Sequence, residues 1–265
     1  MELTSIQGTL LSIITVVRND PKRLAETMHS LRTLYNDSKF EHIVIDGNSN
    51  DGKTLEVMLK GRMYTNFQCT SEADRGIYDA MNKGVRMARG RFVLFLNCGD
   101  RLAASPTQLE AWLRVFETLN GVDLVCFSCR LRHGTHWTLL KPESGIQHQM
   151  PTSHQAMVFA RNFVRAYPYD IRYQIAADFN LYLSASVPRI LTLVDSDPLT
   201  DIESEGVASE SPVRSYKEYL QIAHRKLHGR AKWIAITRIG FKAVGVVLLK
   251  ALLPRAWVRA LRRSV

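Results

Sequence analysis

Acidic and amide side chains follow three apolar segments of this 265-residue chain, each at the point where the segment ends. In chain order, these side chains are Asn19, Asp20, Asp46, Asn97 and Asp100. Carboxylate and amide oxygens accept hydrogen bonds from a base or a ribose, and they are the ligands that Mg²⁺ and Mn²⁺ prefer. A divalent cation held there would neutralise a diphosphate. Together, these residues predict a nucleotide site with a bound metal ion.

An alternation of apolar and amphipathic segments predicts the elements that position these side chains. The predicted strands cover residues 10–17, 42–46, 67–71, 91–96, 123–131 and 136–140. A helix is predicted after each of the first four strands, as in βαβ units, so the carboxyl ends of those strands should line one crevice. No helix separates the last two strands, which indicates an extension of the sheet for a second substrate. The pattern predicts an α/β fold.

Two classes of nucleotide-binding protein are disfavoured by missing motifs. The sequence has no Gly-x-x-x-x-Gly-Lys-Ser/Thr loop, and no Gly-x-Gly-x-x-Gly follows a predicted strand. Both motifs bind phosphates through backbone N–H groups at the start of a helix. A nucleoside triphosphatase or a dehydrogenase is therefore not expected.

The positive charge of the chain is concentrated near its C-terminal end. Residues 214–265 contain 13 lysines and arginines and one acidic residue, Glu218, whereas residues 1–213 are close to neutral. The charge predicts a near-neutral folded domain at 1–213 and a basic helical tail at 214–265. Nucleic-acid binding is not expected, because no aromatic-studded basic groove accompanies the charge.

The four cysteines lack the spacing of a disulfide framework, which predicts a reducing, cytosolic setting. Cys126 and Cys129 have the spacing of a zinc or redox pair, but they lie within one predicted strand. Residues three apart on a strand point to opposite faces. We therefore expect both to be structural.

Four motifs, in order and at matching spacing, resemble those of family 2 glycosyltransferases. They occupy residues 11–19 (LSIITVVRN), 44–52 (VIDGNSNDG), 71–84 (SEADRGIYDAMNKG) and 95–100 (FLNCGD). Within the family, the chain most resembles the colanic-acid and related exopolysaccharide glycosyltransferases of enteric bacteria. The resemblance spans about residues 10–211, and it implies a GT-A fold: a Rossmann-like mixed sheet flanked by helices. It also implies a nucleotide-sugar donor and inversion at the anomeric carbon.

The resemblance assigns roles to individual residues. The donor-binding residues that it implies are Thr15, Asn19, Asp46, Asp74, Lys83 and Asn97. Asp100 is implied as the ligand of Mg²⁺ or Mn²⁺. The chain departs from the family's usual Asp-x-Asp motif because Asn97 replaces the first aspartate, so the metal loses one anionic ligand and should bind more weakly.

Asp178 is the candidate catalytic base, because it matches the family's catalytic aspartate in the first turn of a predicted helix. An inverting transferase needs a base that takes the proton of the attacking acceptor hydroxyl. The alternative is that Asp178 only interacts with the helix N-terminus. His154 and Gln155 resemble a pair that lies near the diphosphate or the acceptor; alternatively, His154 is a hydrogen-bonded histidine at the start of a strand.

Two further segments each allow two interpretations. Residues 195–211 are polar and acidic, which fits a loop that closes over the donor or a solvated surface loop. Apolar residues recur at helical steps between Trp233 and Leu252, with Trp257 beyond, whereas Arg238, Lys242 and Lys250 exclude a membrane-spanning run. Flanking positive charge is supplied by Lys226, Arg230, Arg255, Arg259, Arg262 and Arg263. This pattern predicts a helix on an anionic membrane surface; the alternative is a helix packed on the catalytic domain.

The sequence thus predicts a glycosyltransferase bound peripherally to the cytoplasmic face of a bacterial inner membrane. Its donor would be a UDP- or GDP-linked sugar and its acceptor a saccharide on polyprenyl diphosphate, in exopolysaccharide or surface polysaccharide synthesis. Two alternatives remain: a metal-dependent sugar nucleotidyltransferase, and an inactive scaffold for polysaccharide assembly. Donor sugar, nucleotide and linkage are not determined by the sequence.

Overall fold

The computed structural model describes residues 8–144, 148–194, 197–203 and 212–252. The strands are β1 (Leu11–Val17), β2 (Phe40–Asp46), β3 (Phe67–Ser71), β4 (Phe92–Phe95), β5 (Arg101–Leu102), β6 (Leu124–Cys126), β7 (Cys129–His133), β8 (His136–Leu140), β9 (Met157–Ala160), β10 (Ile190–Thr192) and β11 (Thr200–Glu203). The α-helices are α1 (Pro21–Ser30), α2 (Lys53–Lys60), α3 (Ile77–Met87), α4 (Pro106–Thr118), α5 (Arg161–Ala166), α6 (Ala177–Tyr182), α7 (Pro212–Lys226) and α8 (Gly229–Leu252). Short 3₁₀ turns cover Gly61–Met63, His154–Ala156 and Val187–Arg189.

Seven strands form the central sheet, in the order β10-β6-β9-β4-β1-β2-β3. All neighbours pair in parallel except β9, which runs antiparallel to β4 and β6. Strands β1 and β2 are buried along their whole length; the buried side chains of Ser12, Glu41, His42 and Asp46 are hydrogen-bonded to one another or to neighbouring strands. Helices pack on both faces and enclose two apolar cores. The predicted mixed α/β architecture is confirmed.

The predicted strand over residues 123–131 is wrong, because the chain changes sheets within it. β6 belongs to the central sheet, and β7 belongs to a second, four-stranded sheet with the order β5-β11-β7-β8. Cys126 lies in the core on the α3 side, and Cys129 lies in the opposite core. The sulfurs are therefore separated by the sheet itself rather than by strand alternation.

The segment over residues 195–211 contains a strand rather than only a polar loop. β11 pairs with β7 in parallel and with β5 in antiparallel orientation. Thr200 and Ile202 are buried and alternate with Asp201 and Glu203, which form ion pairs with arginines of β7. This period of two explains the strand. The rest of the predicted lid, at 195–196 and 204–211, lies outside the described residues.

The start of the predicted tail packs against the core that contains α6. Ile222 and Ala223 of α7 and Ala235 and Ile239 of α8 are buried in the same core as Phe179. Burial of these apolar side chains stabilises the packing of both helices on the rest of the structure, while the domain boundary after residue 213 stays a prediction. This agrees with the alternative of a helix packed on the catalytic domain.

The opposite face of α8 is apolar but exposed. Trp233, Phe241 and Val244 are more than half exposed, with relative accessibilities of 66%, 80% and 57%. Among the described residues, no helix is both long and apolar enough to cross a bilayer. The predicted apolar membrane contacts at 247, 248 and 252, and the charge at Lys250, are in α8 beyond the described side chains. Trp257, Arg255, Arg259, Arg262 and Arg263 lie outside the described residues.

Candidate functional site

A cleft of about 640 Å³ opens beyond the carboxyl end of β4. Its polar lining includes Asn97, Asp100, His154, Gln155, Asp178 and Glu203. All of them except Glu203 were predicted from the sequence. The fold brings the six residues to one cavity although they come from four separate segments. The cleft is of a size that encloses a small-molecule ligand.

The turn 97–100 is fixed to α1 by Thr27. The Thr27 hydroxyl donates a hydrogen bond to the Asp100 carbonyl (2.8 Å) and accepts one from the Gly99 N–H (2.9 Å). Gly99 has φ +101°, a conformation that favours glycine. The side chains of Asn97 and Asp100 are therefore presented to the cleft by a rigid turn.

Asp100 is a buried carboxyl group whose pKa is raised from 3.8 to about 7, mainly because burial disfavours its charge. Its Oδ1 accepts a hydrogen bond from the Glu203 N–H at 3.3 Å, and its carboxylate also accepts one from Gln155. The contact with Glu203 was missed because it depends on β11 lying beside β5. A cation in the cleft would favour the ionised form of Asp100.

Asn97 contributes a buried amide oxygen, Oδ1, that has no hydrogen-bond partner among the described residues. Leaving a buried polar atom unpaired costs free energy, about 1–3 kcal/mol. An unpaired acceptor of this kind suits a ligand that supplies a proton or a positive charge. Asn97 thus lies where the sequence predicted a donor-binding residue.

His154 is buried in an aromatic wall of the cleft. Its ring stacks on Phe95, with centroids 5.2 Å apart, and its Nε2 lies 2.5 Å from the Tyr169 hydroxyl. Burial lowers the pKa of His154 to about 3, so the ring is neutral. This placement matches the alternative of a hydrogen-bonded histidine more closely than a charged diphosphate ligand, whereas Gln155 reaches Asp100 directly.

Asp178 lies in the first turn of α6 and faces the same cleft. Its pKa is raised from 3.8 to about 6, chiefly by burial, while hydrogen bonds from the Phe179 N–H and from Tyr78 act in the opposite direction. At neutral pH the group is ionised but close to its pKa, which suits a general base.

Glu218 of α7 holds the loop that leads into α6, and sequence reasoning missed it. Its carboxylate accepts hydrogen bonds from the N–H groups of Gln174, Ile175 and Ala176, at 3.2, 2.8 and 3.0 Å. The available signal was its position as the one acidic residue among the 13 basic residues of 214–265. Glu218 therefore connects the C-terminal helices to the position of Asp178.

The predicted nucleoside residues Thr15 and Asp46 are fully buried, and they organise the sheet edge instead of lining the cleft. The Thr15 hydroxyl donates to the Leu96 carbonyl and lies 3.0 Å from His42 Nε2. Because it is enclosed by β2 and β4, Thr15 presents no atom to a ligand in this conformation. Asp46 accepts hydrogen bonds from the Ser49 N–H and from the Ser49 and Ser71 hydroxyls.

Asn19, Asp74 and Lys83 cluster around the ends of β1, β2 and β3. The Asn19 N–H donates to Ser49 Oγ, and its Oδ1 accepts from the Asn50 N–H. The Asp74 carboxylate packs on Gly47, where an added Cβ would lie 2.7 Å from Asp74 Oδ2. Lys83 Nζ donates to the Ala73 carbonyl and pairs with Glu72 at 3.1 Å. The three residues shape adjoining loops next to the cleft.

Comparison with known proteins identifies the family of the chain. The model of the family "Glycosyl transferase family 2" matches residues 12–169. The chain belongs to glycosyltransferase family 2. An uncharacterized glycosyltransferase of Mycobacterium tuberculosis is 31% identical over 191 residues, which cover 67% of this chain and 69% of the relative. A PGL/p-HBAD biosynthesis glycosyltransferase of Mycobacterium bovis is 29% identical over 58% of this chain and 61% of its own length. The expected resemblance to colanic-acid enzymes stays a prediction.

Two solved structures share the fold of this glycosyltransferase. S. aureus TarS in complex with UDP-GlcNAc has a TM-score of 0.67 at 18% identity, with 87% of this chain and 71% of TarS covered. The mannosyltransferase PcManGT from Pyrobaculum calidifontis, in complex with GDP-Man and Mn²⁺, has a TM-score of 0.61 at 15% identity over 98% and 80% of the two chains. They bear out the GT-A fold predicted from the sequence.

The residues of the glycosyltransferase cleft fit a divalent cation that is shared with a bound diphosphate. Asp100 supplies one carboxylate and Asn97 one unpaired amide oxygen. Within the part of the chain that the structure describes, no group of three or more His, Cys, Asp and Glu side chains could hold a metal ion. A cation held by one carboxylate and completed by phosphate and water is typical of Mg²⁺ sites.

Proposed function

We propose that this enzyme is an inverting hexosyltransferase that uses a UDP- or GDP-linked sugar and a saccharide on polyprenyl diphosphate, in the synthesis of a surface polysaccharide or exopolysaccharide. The observation that carries the proposal is that Asp178 and the pair Asn97 and Asp100 line one cleft of a family 2 glycosyltransferase fold. That arrangement supplies a base and a diphosphate site in the same cavity.

In the proposed reaction, Asp178 accepts the proton of the acceptor hydroxyl. The hydroxyl oxygen then forms a bond to the anomeric carbon from the face opposite the diphosphate, and the bond between that carbon and the diphosphate oxygen breaks with its electron pair on the leaving group. A pKa of about 6 leaves Asp178 ionised at pH 7 and above. The proton therefore ends on Asp178, from which it passes to solvent.

The donor would lie along the edge formed by the loops after β1, β2 and β3. In this proposal, Asp46 and Asn19 act by fixing the loop 47–50 that meets the nucleoside, because their side chains hold Ser49 and Asn50. Asp74 and Lys83 order the following loop on the ribose and diphosphate side. Thr15 then has a supporting role behind β4.

Mg²⁺ or Mn²⁺ bound by Asp100 and Asn97 would stabilise the negative charge of the departing diphosphate, a contribution worth several kcal/mol. The buried Asn97 Oδ1 supports this assignment. Because an amide carries no charge, we expect weaker metal binding than at a site with two carboxylates.

The exposed apolar face of α8 supports a peripheral position at the cytoplasmic face of the inner membrane. Trp233, Phe241 and Val244 form this face, and residues 212–245 contain eight lysines and arginines against Glu218. Apolar side chains inserted below the headgroups, with positive charge around them, are typical of binding to anionic bilayers.

The test of the proposed function is a screen of nucleotide sugars with a saccharide-prenyl-diphosphate acceptor, comparing wild type with Asp178→Asn and with Asp170→Asn as a matched control. Asp170 is a nearby carboxylate that pairs with Arg172. We expect nucleoside diphosphate release and transfer by wild type and by Asp170→Asn, and loss of transfer in Asp178→Asn. Pyrophosphate release from nucleoside triphosphates would favour a nucleotidyltransferase, and nucleotide binding without any turnover would favour a scaffold.

A further inference from the structure

A second cleft, of about 650 Å³, lies between the two C-terminal helices and the loop before α6. Tyr173, Leu220 and Ile236 form its more buried apolar part. The exposed residues at its opening are Arg172, Gln221, His224 and Arg225. Among the described residues, none lines both this cleft and the cleft that contains Asp178 and Asp100.

The opening of this second cleft is positively charged. Arg225 donates a hydrogen bond from Nη1 to the Tyr173 hydroxyl (3.0 Å), which fixes its guanidinium group at the edge. Arg172 is paired with Asp170 at 2.6 Å, so its charge is largely compensated. Glu218, the acidic residue of α7, is buried and accepts three backbone hydrogen bonds. Asp170 also acts on Arg225 electrostatically, but the ion pairs of the described residues include none with Arg225, so its guanidinium is the main positive charge that a ligand would meet.

The two clefts share a wall. Tyr173 and Leu220 line the second cleft, while their chain neighbours Gln174 and Tyr219 line the cleft of Asp178. Ile236, in the second cleft, belongs to α8, the helix that exposes Trp233 and Phe241. The second cleft thus adjoins both the loop that leads to the proposed catalytic base and the helix that carries the proposed membrane-binding face.

We infer that this second cleft binds the diphosphate and the adjoining prenyl carbons of the acceptor, an inference that rests on the proposed function. The ligand class is a prenyl diphosphate: its hydrocarbon fits the apolar part, and its phosphates meet the guanidinium of Arg225. Arginine binds phosphate through strong, charge-assisted hydrogen bonds. A neutral glycolipid would gain nothing from the charged opening, and the sugar of a prenyl-linked acceptor would lie beyond the shared wall, toward Asp178.

The experiment measures binding of farnesyl diphosphate to the full chain by isothermal titration calorimetry. Wild type should bind it at least tenfold more tightly than either farnesol or inorganic diphosphate, because the ligand needs both an apolar and an anionic part. Arg225→Gln should weaken binding about tenfold or more, as expected for loss of a charge-assisted hydrogen bond. Lys217→Gln, which removes the same charge from an exposed position of α7 outside the cleft, should leave the affinity within about twofold.

A second variant, His224→Glu, places a negative charge at an exposed position of the opening and should also weaken binding if Arg225→Gln fails to fold. Equal loss in Lys217→Gln and Arg225→Gln would overturn the inference in favour of general charge attraction. Equally tight binding of inorganic diphosphate, or full competition by phosphatidylglycerol vesicles, would overturn it in favour of a free anion or a bilayer headgroup. Binding of UDP or GDP with Mn²⁺ provides the separate test of the proposed function: intact nucleotide binding and sugar transfer without farnesyl diphosphate binding would reject this site alone.

Discussion

Replacing the carboxyl group of Asp178 by the amide of asparagine changes its charge with little change in shape. The amide oxygen can still accept the hydrogen bond from the Phe179 N–H, which is 2.7 Å long in the structure. The substitution therefore separates two consequences of the ionised carboxylate, its role as a base and its cost to the fold. We expect Asp178→Asn to lose sugar transfer and to gain stability at neutral pH.

The size of the gain follows from the pKa of Asp178, which burial raises from 3.8 to about 6. A pKa that is higher in the folded than in the unfolded protein means that ionisation destabilises the fold. The cost is absent below the unfolded pKa, grows as pH rises, and is complete above about pH 6. For a fully buried group the cost would be about 3 kcal/mol; since Asp178 is partly exposed to the cleft, we expect about 1–3 kcal/mol.

The assay is chemical denaturation of wild type and variant between pH 4 and pH 8, combined with the pH dependence of transfer. The free energy of unfolding should be similar for both at about pH 4, and higher for Asp178→Asn at pH 8. Wild-type turnover should fall on the acidic side with a midpoint near pH 6, and the variant should lose about 10²–10⁴-fold in turnover.

Asp170→Asn is the control, and its stability should change in the opposite direction, because Arg172 lowers the pKa of Asp170. It removes an exposed ion pair, so stability at pH 8 should fall by less than about 1 kcal/mol. A variant Asp178→Asn that is equally stable at every pH, or less stable at pH 8, would refute a desolvated carboxylate at this position. Retained transfer would refute its role as the base.

Three further predictions concern the metal, the support of Asp178 and the membrane. Asp100→Asn should weaken Mn²⁺-dependent UDP or GDP binding at least tenfold, whereas Asn97→Asp should tighten it by adding an anionic ligand. Titration calorimetry with and without Mn²⁺ measures both effects. If neither variant changes the effect of Mn²⁺ on nucleotide binding, the metal site is rejected. Glu218→Gln should lower turnover and move the acidic midpoint of the pH profile to lower pH, because the charge of Glu218 raises the pKa of Asp178. The control is Arg214→Gln, which removes the exposed ion-pair partner of Glu218. An unmoved midpoint in Glu218→Gln would count against an electrostatic effect of Glu218 on Asp178. The double variant Trp233→Ser and Phe241→Ser should reduce sedimentation with phosphatidylglycerol vesicles more than tenfold. The control Val213→Ser, at another exposed apolar residue, should leave sedimentation unchanged. Undiminished sedimentation of the double variant would reject α8 as the membrane-binding helix.

The sequence by itself determined the class of fold, and it predicted five of the polar residues that line the main cleft. Long apolar runs predicted buried parallel strands, and the polar residues after them predicted a ligand site at one sheet edge, because the ends of parallel strands meet there. Asn97, Asp100 and Asp178 do share a cleft. These predictions depended on local pattern and on family motifs, which a linear sequence contains.

Only the tertiary structure decided which of the predicted polar residues line the cleft and which are buried behind it. Thr15 and Asp46 end inside the sheet edge because neighbouring strands supply their partners, and strand order cannot be read from one strand's residues. The apolar run 123–131 divides between two sheets because Phe127 and Ser128 bond to the backbone of Ala156 and Leu199, residues distant in sequence.

The same reason explains the C-terminal helices. Composition identified the positive charge and the apolar periodicity of residues 214–265, but α8 is apolar on two faces, and composition does not tell which face packs. Burial of Ala235 and Ile239 against the domain leaves Trp233 and Phe241 exposed. Glu218, one acidic residue in a basic segment, acquires its partners at 174–176 only when α7 folds against the loop before Asp178.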